Sequence, residues 1–237
     1  MSANNNILDS GPELNFLHAV STRIAAADPI HEVLDQIVEF ISELVQCDSC
    51  FVYVKEGESL VLRASKNAHP AVVNTFKLRI GEGITGWVAE RAEAVVLSER
   101  AFADPRYYFV NELPEDRFEA FLSMPILSRG RVVGVVNVQH RDRYDFQARE
   151  VKIISTVGHL VGAAIEVARL EEEVLSLTTK LETRKVLDRA KGILQRDLGI
   201  AEDEAYSMIQ KQARQRRKTM AEISKAILLS DELRKTK

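Results

Sequence analysis

The sequence predicts an α+β chain: an antiparallel-sheet domain with flanking helices, a long connecting helix, and a C-terminal three-helix all-α domain. Three observations predict it. Short strand-like segments bounded by turn residues fill residues 50–139, with helix-periodic segments on either side. Neither Gly nor Pro interrupts residues 163–191, which read as one long helix. The charge also reverses along the chain. Residues 181–237 hold 14 Lys/Arg against 9 Asp/Glu, a balance of +5, whereas residues 1–180 hold 18 against 26, a balance of −8. A basic tail on an acidic body suggests an anionic partner for the tail; the plainer alternative is a solvated basic helix face.

A weak helix is expected near residues 14–26. A stronger one follows, in which Ile30, Val33, Leu34, Ile37, Val38, Ile41, Leu44 and Val45 share one face. Asp28 is placed to cap it, with Pro29 as its first residue. Strands at 50–54 and 60–64 flank the turn Glu56-Gly57-Glu58. Residues 75–80 alternate as a further strand, and Gly81-Glu82-Gly83 turns the chain into a short helix over 84–90. A short strand is expected at 95–97. Residues 98–117 then form a long polar loop of the kind that is usually functional or mobile. Strands at 124–127 and 132–139 make a second hairpin around Ser128-Arg129-Gly130-Arg131. The run Val132-Val133-Gly134-Val135-Val136 lacks alternation, so both of its faces are expected to be buried.

From Gln147 the pattern is helical. Ile154, Val157, Val161, Ile165 and Ala168 form one stripe. Val167, Leu170, Val174, Leu177 and Leu181 then recur at spacings of three and four, a short heptad seam that implies a homodimer through parallel helices. Gly199 is expected to end the helix. A second helix begins at Glu202-Asp203-Glu204, with Ala205, Tyr206, Met208, Ile209, Gln212 and Ala213 as its apolar face. A third helix carries Met220, Ile223, Ala226, Ile227 and Leu228. The domains are predicted at 13–169, 170–182 for the helical linker, and 183–235.

Several classes are disfavoured. No unbroken apolar run reaches bilayer-spanning length. The polar N-terminus lacks the basic and apolar regions of a leader peptide. Two cysteines make no disulfide scaffold, so a cytoplasmic location is expected. Cys47-Asp48-Ser49-Cys50 is a lone Cys-x-x-Cys, read as two small residues at a buried turn. His18, His31, His69, His140 and His159 are scattered, and no metal site or catalytic constellation is expected. Gly81-Glu82-Gly83-Ile84-Thr85-Gly86 lacks the Gly-Lys-Ser/Thr ending of a phosphate loop and is read as fold geometry.

Residues 14–169 resemble a GAF domain. The resemblance rests on Ile80-Gly81-Glu82-Gly83-Ile84-Thr85-Gly86-Trp87-Val88-Ala89, Asp104-Pro105-Arg106, Ser123-Met124-Pro125-Ile126, Gly134-Val135-Val136-Asn137-Val138 and Phe146. It implies an antiparallel sheet flanked by helices and a sensor role. It leaves the ligand open among small molecules, nucleotides, tetrapyrroles and iron clusters. Residues 183–229 resemble an ANTAR domain through Thr183-Arg184, Ala190-Lys191-Gly192-Ile193-Leu194, Glu204-Ala205-Tyr206, Ala213 and Arg217-Lys218. That resemblance implies a three-helix unit that binds tandem RNA stem-loops and blocks a terminator hairpin. Gln195, Ser224 and Gln210 depart from its usual Met, Ala and Arg.

The function expected is a signal-responsive antitermination regulator, not an enzyme. Arg184, Lys191, Arg214, Arg217 and Lys218 supply a basic surface, with Ala190 and Gly192 shaping it. RNA loops present unstacked bases and phosphates to such groups. Gly192 has a second reading, that of permitting close helix packing. DNA is the weaker partner, because the charge of Gln215-Arg216-Arg217-Lys218 lies between helices and not along a recognition helix. No membrane partner is expected. In the sensor, Trp87, Asp104, Arg106, Tyr107 and Tyr108 are the expected ligand-binding residues, for a small molecule of unknown identity. The enzyme alternative, a sulfoxide reductase-like GAF protein, would require reactive cysteines.

Overall fold

Two hairpins organise the first part of the chain. Strand β1 (Ser49–Glu56) pairs antiparallel with β2 (Ser59–Ser65), and β5 (Ala120–Ser128) with β6 (Arg131–His140). β1 also pairs with β6, which joins the hairpins, and β3 (Lys77–Arg79) and β4 (Val95–Leu97) close the edges in the order β3-β2-β1-β6-β5-β4. The computed structural model describes residues 11–26, 29–66, 72–108 and 117–235. The chain falls into two units, Met1–Arg169 and Leu170–Lys237.

Both faces of the sheet are buried because its side chains alternate between two cores. On one face Cys50, Val52, Leu122, Met124, Ile126, Val136 and Val138 pack under α1 (Pro12–Ala25), α2 (Ile30–Val45) and the first half of α4 (Ala148–Leu198). On the other, Phe51, Tyr53, Leu60, Leu62, Phe121 and Val135 pack under α3 (Gly83–Arg91). Two register shifts, at Val52/Tyr53 and Ile126/Leu127, interrupt this alternation. Val132 and Val135 face one core and Val133 and Val136 the other, so burial of both faces accounts for the non-alternating valine run.

Helix α2 supplies Val33, Leu34, Ile37, Val38, Ile41 and Val45, each fully buried. At about 1.5–3 kcal/mol per side chain, that stripe is a major part of the first core. Pro29 stands at its N-cap position, one residue before the expected place, and its carbonyl accepts the N–H groups of Glu32 and Val33. Asp28, the expected cap, lies outside the described residues. β3 is half as long as expected: Leu78 is buried between exposed Lys77 and Arg79, while Phe76 and Ile80 fall outside the ladder.

α4 approaches β5 closely. A Cβ on Gly162 would stand well under 3.0 Å from the Leu127 carbonyl oxygen, and Gly158 faces the carbonyl of Pro125. The absence of a side chain at Gly162 lets Ile154, Val157, Val161 and Ile165 reach the sheet. One 18-residue stretch of α4 has a mean hydropathy of 1.5 and is long and apolar enough to cross a membrane. That corrects the expectation drawn from unbroken runs; the stretch includes Ser155, Thr156 and His159, and its apolar stripe is the sheet's core helix.

In the second unit, the end of α4 packs with α5 (Glu202–Arg216) and α6 (Met220–Lys235) around Ala190, Ile209, Ala213 and Ile223. Gly199 takes the left-handed conformation (φ +67°) and donates its N–H to Gln195 O, ending α4 as expected. Thr219 and Glu222 cap α6 reciprocally: the Thr219 N–H donates to Glu222 Oε2 (2.8 Å) and the Glu222 N–H to Thr219 Oγ1 (3.2 Å). Ionic contacts tie α6 to α4, with Arg196 on Asp231 at 2.5 Å and Arg234 on Asp197 at 3.4 Å. Tyr206 and Met208, expected in the apolar face of α5, are exposed; Ala205, Ile209 and Ala213 form that face.

Two stability outcomes follow from this packing. Ser224 is fully buried and its Oγ has no hydrogen-bond partner among the described residues. Ser224→Ala is expected to raise stability by about 1 kcal/mol in urea unfolding, since it removes a desolvated hydroxyl without changing shape. Gly162→Ala is expected to lower stability by about 1–3 kcal/mol, because the methyl group meets backbone that has nowhere to go.

Candidate functional site

Two groups of residues present chemistry. The first lies on the α3 face of the sheet. Gly83 is left-handed (φ +67°), and a Cβ there would come within 2.9 Å of Tyr108 Cβ. Glycine therefore lets the segment after β4 lie against the start of α3. That segment opens with a short 3-10 helix, Ala101–Ala103, followed by Asp104.

Asp104 and Arg106 form a two-pronged pair. Arg106 Nε donates to Asp104 Oδ1 at 2.9 Å and Nη2 to Oδ2 at 2.8 Å, while the Arg106 N–H also donates to Oδ1. These bonds hold the Asp104 carboxyl below the usual carboxylate range. The guanidinium lies 4.6 Å from the centroid of the Trp87 ring. Tyr107 sets its ring edge-on to Phe121. Tyr108 is exposed. The structure thus gathers Trp87, Asp104, Arg106, Tyr107 and Tyr108 into one neighbourhood, although Asp104 and Arg106 satisfy each other.

Beneath α3 runs a buried polar chain absent from the sequence reading. Ser123 Oγ donates to Asn137 Oδ1 (2.7 Å), and Asn137 Nδ2 donates to Thr85 Oγ1 (2.7 Å). It pins α3 to β5 and β6. Its members had been visible only as parts of separate motifs, because pairs 14 and 52 residues apart leave no local pattern.

Cys47 and Cys50 are both buried and unpaired, and burial pushes both thiols up. A thiol in that state is a poor nucleophile. Lys66 Nζ donates to the Cys47 carbonyl. Among the described residues, no three His, Cys, Asp or Glu side chains gather as a metal site.

The second group lies in the C-terminal unit. Arg184 is largely exposed and stands 3.9 Å from Asp188. Lys191 is different: its side chain is 14% exposed, and Nζ is held by Asp188 at 2.8 Å and Glu202 at 2.6 Å. Hydrogen bonds to these carboxylates, Asp188 first, push the ammonium up. Ala190 is fully buried in the three-helix core, so its methyl group packs there and cannot shape a surface as the sequence had suggested. Gly192 is exposed, and a Cβ built on it meets nothing within 4 Å. The close-packing reading of Gly192 therefore fails within the chain. Arg214, Arg217 and Lys218 are exposed at the end of α5 and in the turn after it, with Arg217 in the left-handed conformation (φ +53°). Neither Arg214 nor Arg217 meets a carboxylate among the described residues.

Comparison with known proteins decides what these units are. The family model of the GAF domain matches residues 27–166, more than half of the chain. The chain belongs to the GAF family. An ANTAR domain follows, its family model matching residues 175–228. The transcriptional regulatory protein PdtaR of Mycobacterium tuberculosis is 44% identical over 63 residues, which are 27% of this chain and 31% of PdtaR. This chain therefore spans under a third of that relative. The GAF domain of an Acinetobacter phosphoenolpyruvate-protein phosphotransferase superposes with a TM-score of 0.62 at 26% identity, over 68% of this chain and 96% of that one. Free methionine-R-sulfoxide reductase of Neisseria meningitidis shares the fold, with a TM-score of 0.56 at 15% identity over 72% of this chain and 96% of that one. A GAF domain followed by an ANTAR domain is the architecture of a regulatory protein and not of an enzyme.

The Asp104–Arg106 pair makes a pH prediction. Asp104 has a folded-state pKa below its unfolded value, near 3.9. Its contribution is therefore complete above about pH 4 and lost as pH falls through the lowered value. Trp87, the sole tryptophan, reports the event. Its emission is expected to shift below about pH 4 while far-UV circular dichroism stays constant, and Asp104→Asn should show the shifted emission already at pH 7.

Proposed function

We propose that the chain is a signal-responsive transcription antitermination regulator that binds tandem stem-loops in nascent RNA through its ANTAR domain. The supporting observation is the pair Arg214 and Arg217, exposed and without a carboxylate partner among the described residues, joined by exposed Arg184 and Lys218. Guanidinium groups left unpaired are available to phosphates and bases. Lys191 takes part after exchanging its carboxylate partners for RNA, and Gly192 offers bare helix backbone for close approach.

The GAF unit is the proposed sensor, for a small molecule held near Trp87, Arg106, Tyr107 and Tyr108. A cytoplasmic location fits a protein that meets nascent transcripts. A homodimer fits as well. Val167, Leu170, Val174, Leu177 and Leu181 lie on α4 between 41% (Leu170) and 62% (Val174) exposed, an apolar seam the chain itself leaves uncovered. Parallel pairing of two copies would bring two ANTAR units together, so that the second of two hairpins binds intramolecularly. A sulfoxide reductase reading has only the fold likeness behind it, and buried thiols with raised pKa do not favour it.

Binding of the full chain to a two-hairpin RNA, measured against salt and against duplex DNA of matched length, tests the proposal. Arg214→Gln and Arg217→Gln should each weaken RNA binding and flatten its log–log salt slope by about 0.7–0.9. Equal, salt-sensitive affinity for RNA and DNA would reject specific RNA recognition. Gly192→Leu should remain folded, since open space surrounds it and Leu favours a helix over Gly by roughly 0.5–1 kcal/mol, yet lose tight binding with its charge unchanged. Light scattering at micromolar concentration should give a dimer, and Val174→Asp with Leu177→Asp a monomer.

A further inference from the structure

Tyr206 is a large aromatic ring that the fold leaves 42% exposed, one residue from fully buried Ala205. Its surroundings can be read from the Lys191–Glu202 ion pair. Three residues, 199–201, connect α4 to α5. The 2.6 Å contact between Lys191 and Glu202 shows which flank of α4 meets which flank of α5. Arg184 lies two turns before Lys191 on its flank of α4. Tyr206, Gln210 and Arg214 follow Glu202 at successive steps of four, along one line of α5. An aromatic ring, an amide and a guanidinium thus stand in a row on α5, following the Glu202 that Lys191 holds.

We propose that this row on α5 reads the loop of each RNA hairpin: an unpaired base stacks on the Tyr206 ring, Gln210 hydrogen-bonds the edge of that base or the next, and Arg214 holds a loop phosphate. The inference rests on the RNA-binding reading above and assigns it a specificity element. Each member has the chemistry its place requires. Every base has a π-face to stack on an aromatic ring, an amide both donates and accepts, and an unpaired guanidinium forks onto phosphate. Gln210 is half-buried and so held in orientation, whereas Arg214 is exposed. Gly192 lies about 200° round α4 from buried Ala190, beyond the flank that carries Lys191, and is not part of this row.

The test uses the full chain and a two-hairpin RNA whose loops are enriched from a randomised pool on the wild-type protein, with 2-aminopurine then placed at loop adenines. Tyr206→Ala and Tyr206→Leu are expected to lose about tenfold or more in affinity. Tyr206→Phe, which keeps the ring, should bind as the wild type does. Because no charge is removed, Tyr206→Ala should leave the salt slope unchanged, whereas Arg214→Gln lowers it by about 0.7. At least one 2-aminopurine should be quenched by the wild type and by Tyr206→Phe but not by Tyr206→Leu. Circular dichroism of the variants should match the wild type, as Tyr206 lies outside the core. Affinity for Tyr206→Leu within twofold of wild type, or a loss for Tyr206→Phe equal to that for Tyr206→Ala, overturns the stacking assignment. So does a shift of the Tyr206 variants from dimer to monomer, which would make the ring a contact between copies. Failure to enrich any loop would instead reject the RNA-binding reading itself.

Discussion

One helix has to satisfy two cores. The first half of α4 lays Ile154, Val157, Val161 and Ile165 on the sheet, and its last turns give Leu187, Ala190 and Leu194 to the three-helix unit. Neither contact would form without a local concession in the sequence. At the sheet the concession is Gly162, which lets helix backbone approach a strand carbonyl. In the second unit it is Ala190, whose methyl group is small enough to disappear between α5 and α6. Between the two lies a stretch whose apolar side chains Val167, Leu170, Val174, Leu177 and Leu181 are exposed.

The same economy of partners separates structural charges from available ones. Asp188, Glu202, Asp197 and Asp231 engage Lys191, Arg196 and Arg234, and these pairs tie α5 and α6 to α4. What is left over is basic and gathers at the far end of α5. The positive balance of the tail is thus unevenly spread: these carboxylates serve the fold, and Arg214 and Arg217 are left exposed without a carboxylate among the described residues. In the GAF unit the arrangement is the reverse. Arg106 is bound on two sides, by the Asp104 carboxylate and the Trp87 ring, so a ligand entering there must offer that cation something better than its present partners.

Much of this was legible in the amino-acid sequence. The stripe of α2, the two hairpins, the long helix and the Gly199 stop each follow from a local rule of period, turn chemistry or capping, and each is where the rule puts it. The Thr219-x-x-Glu222 capping box was equally local and equally readable, yet escaped notice. The family motifs located the sensor and the tail domain, and both families are matched.

The sequence by itself determined the elements, their order and the two families, because periodicity and turn chemistry act between residues a few positions apart. Only the tertiary structure decided which face each residue would serve. Ala190 and Lys191 sit side by side in one motif, but a rotation of about 100° sends the first into the core and the second to two carboxylates. Tyr206 has the composition of a core residue and the position of a surface one, since Ala205, Ile209 and Ala213 already fill the contact with α4. Burial and pairing are settled by whatever arrives from elsewhere in the chain, and no spacing along the sequence records it.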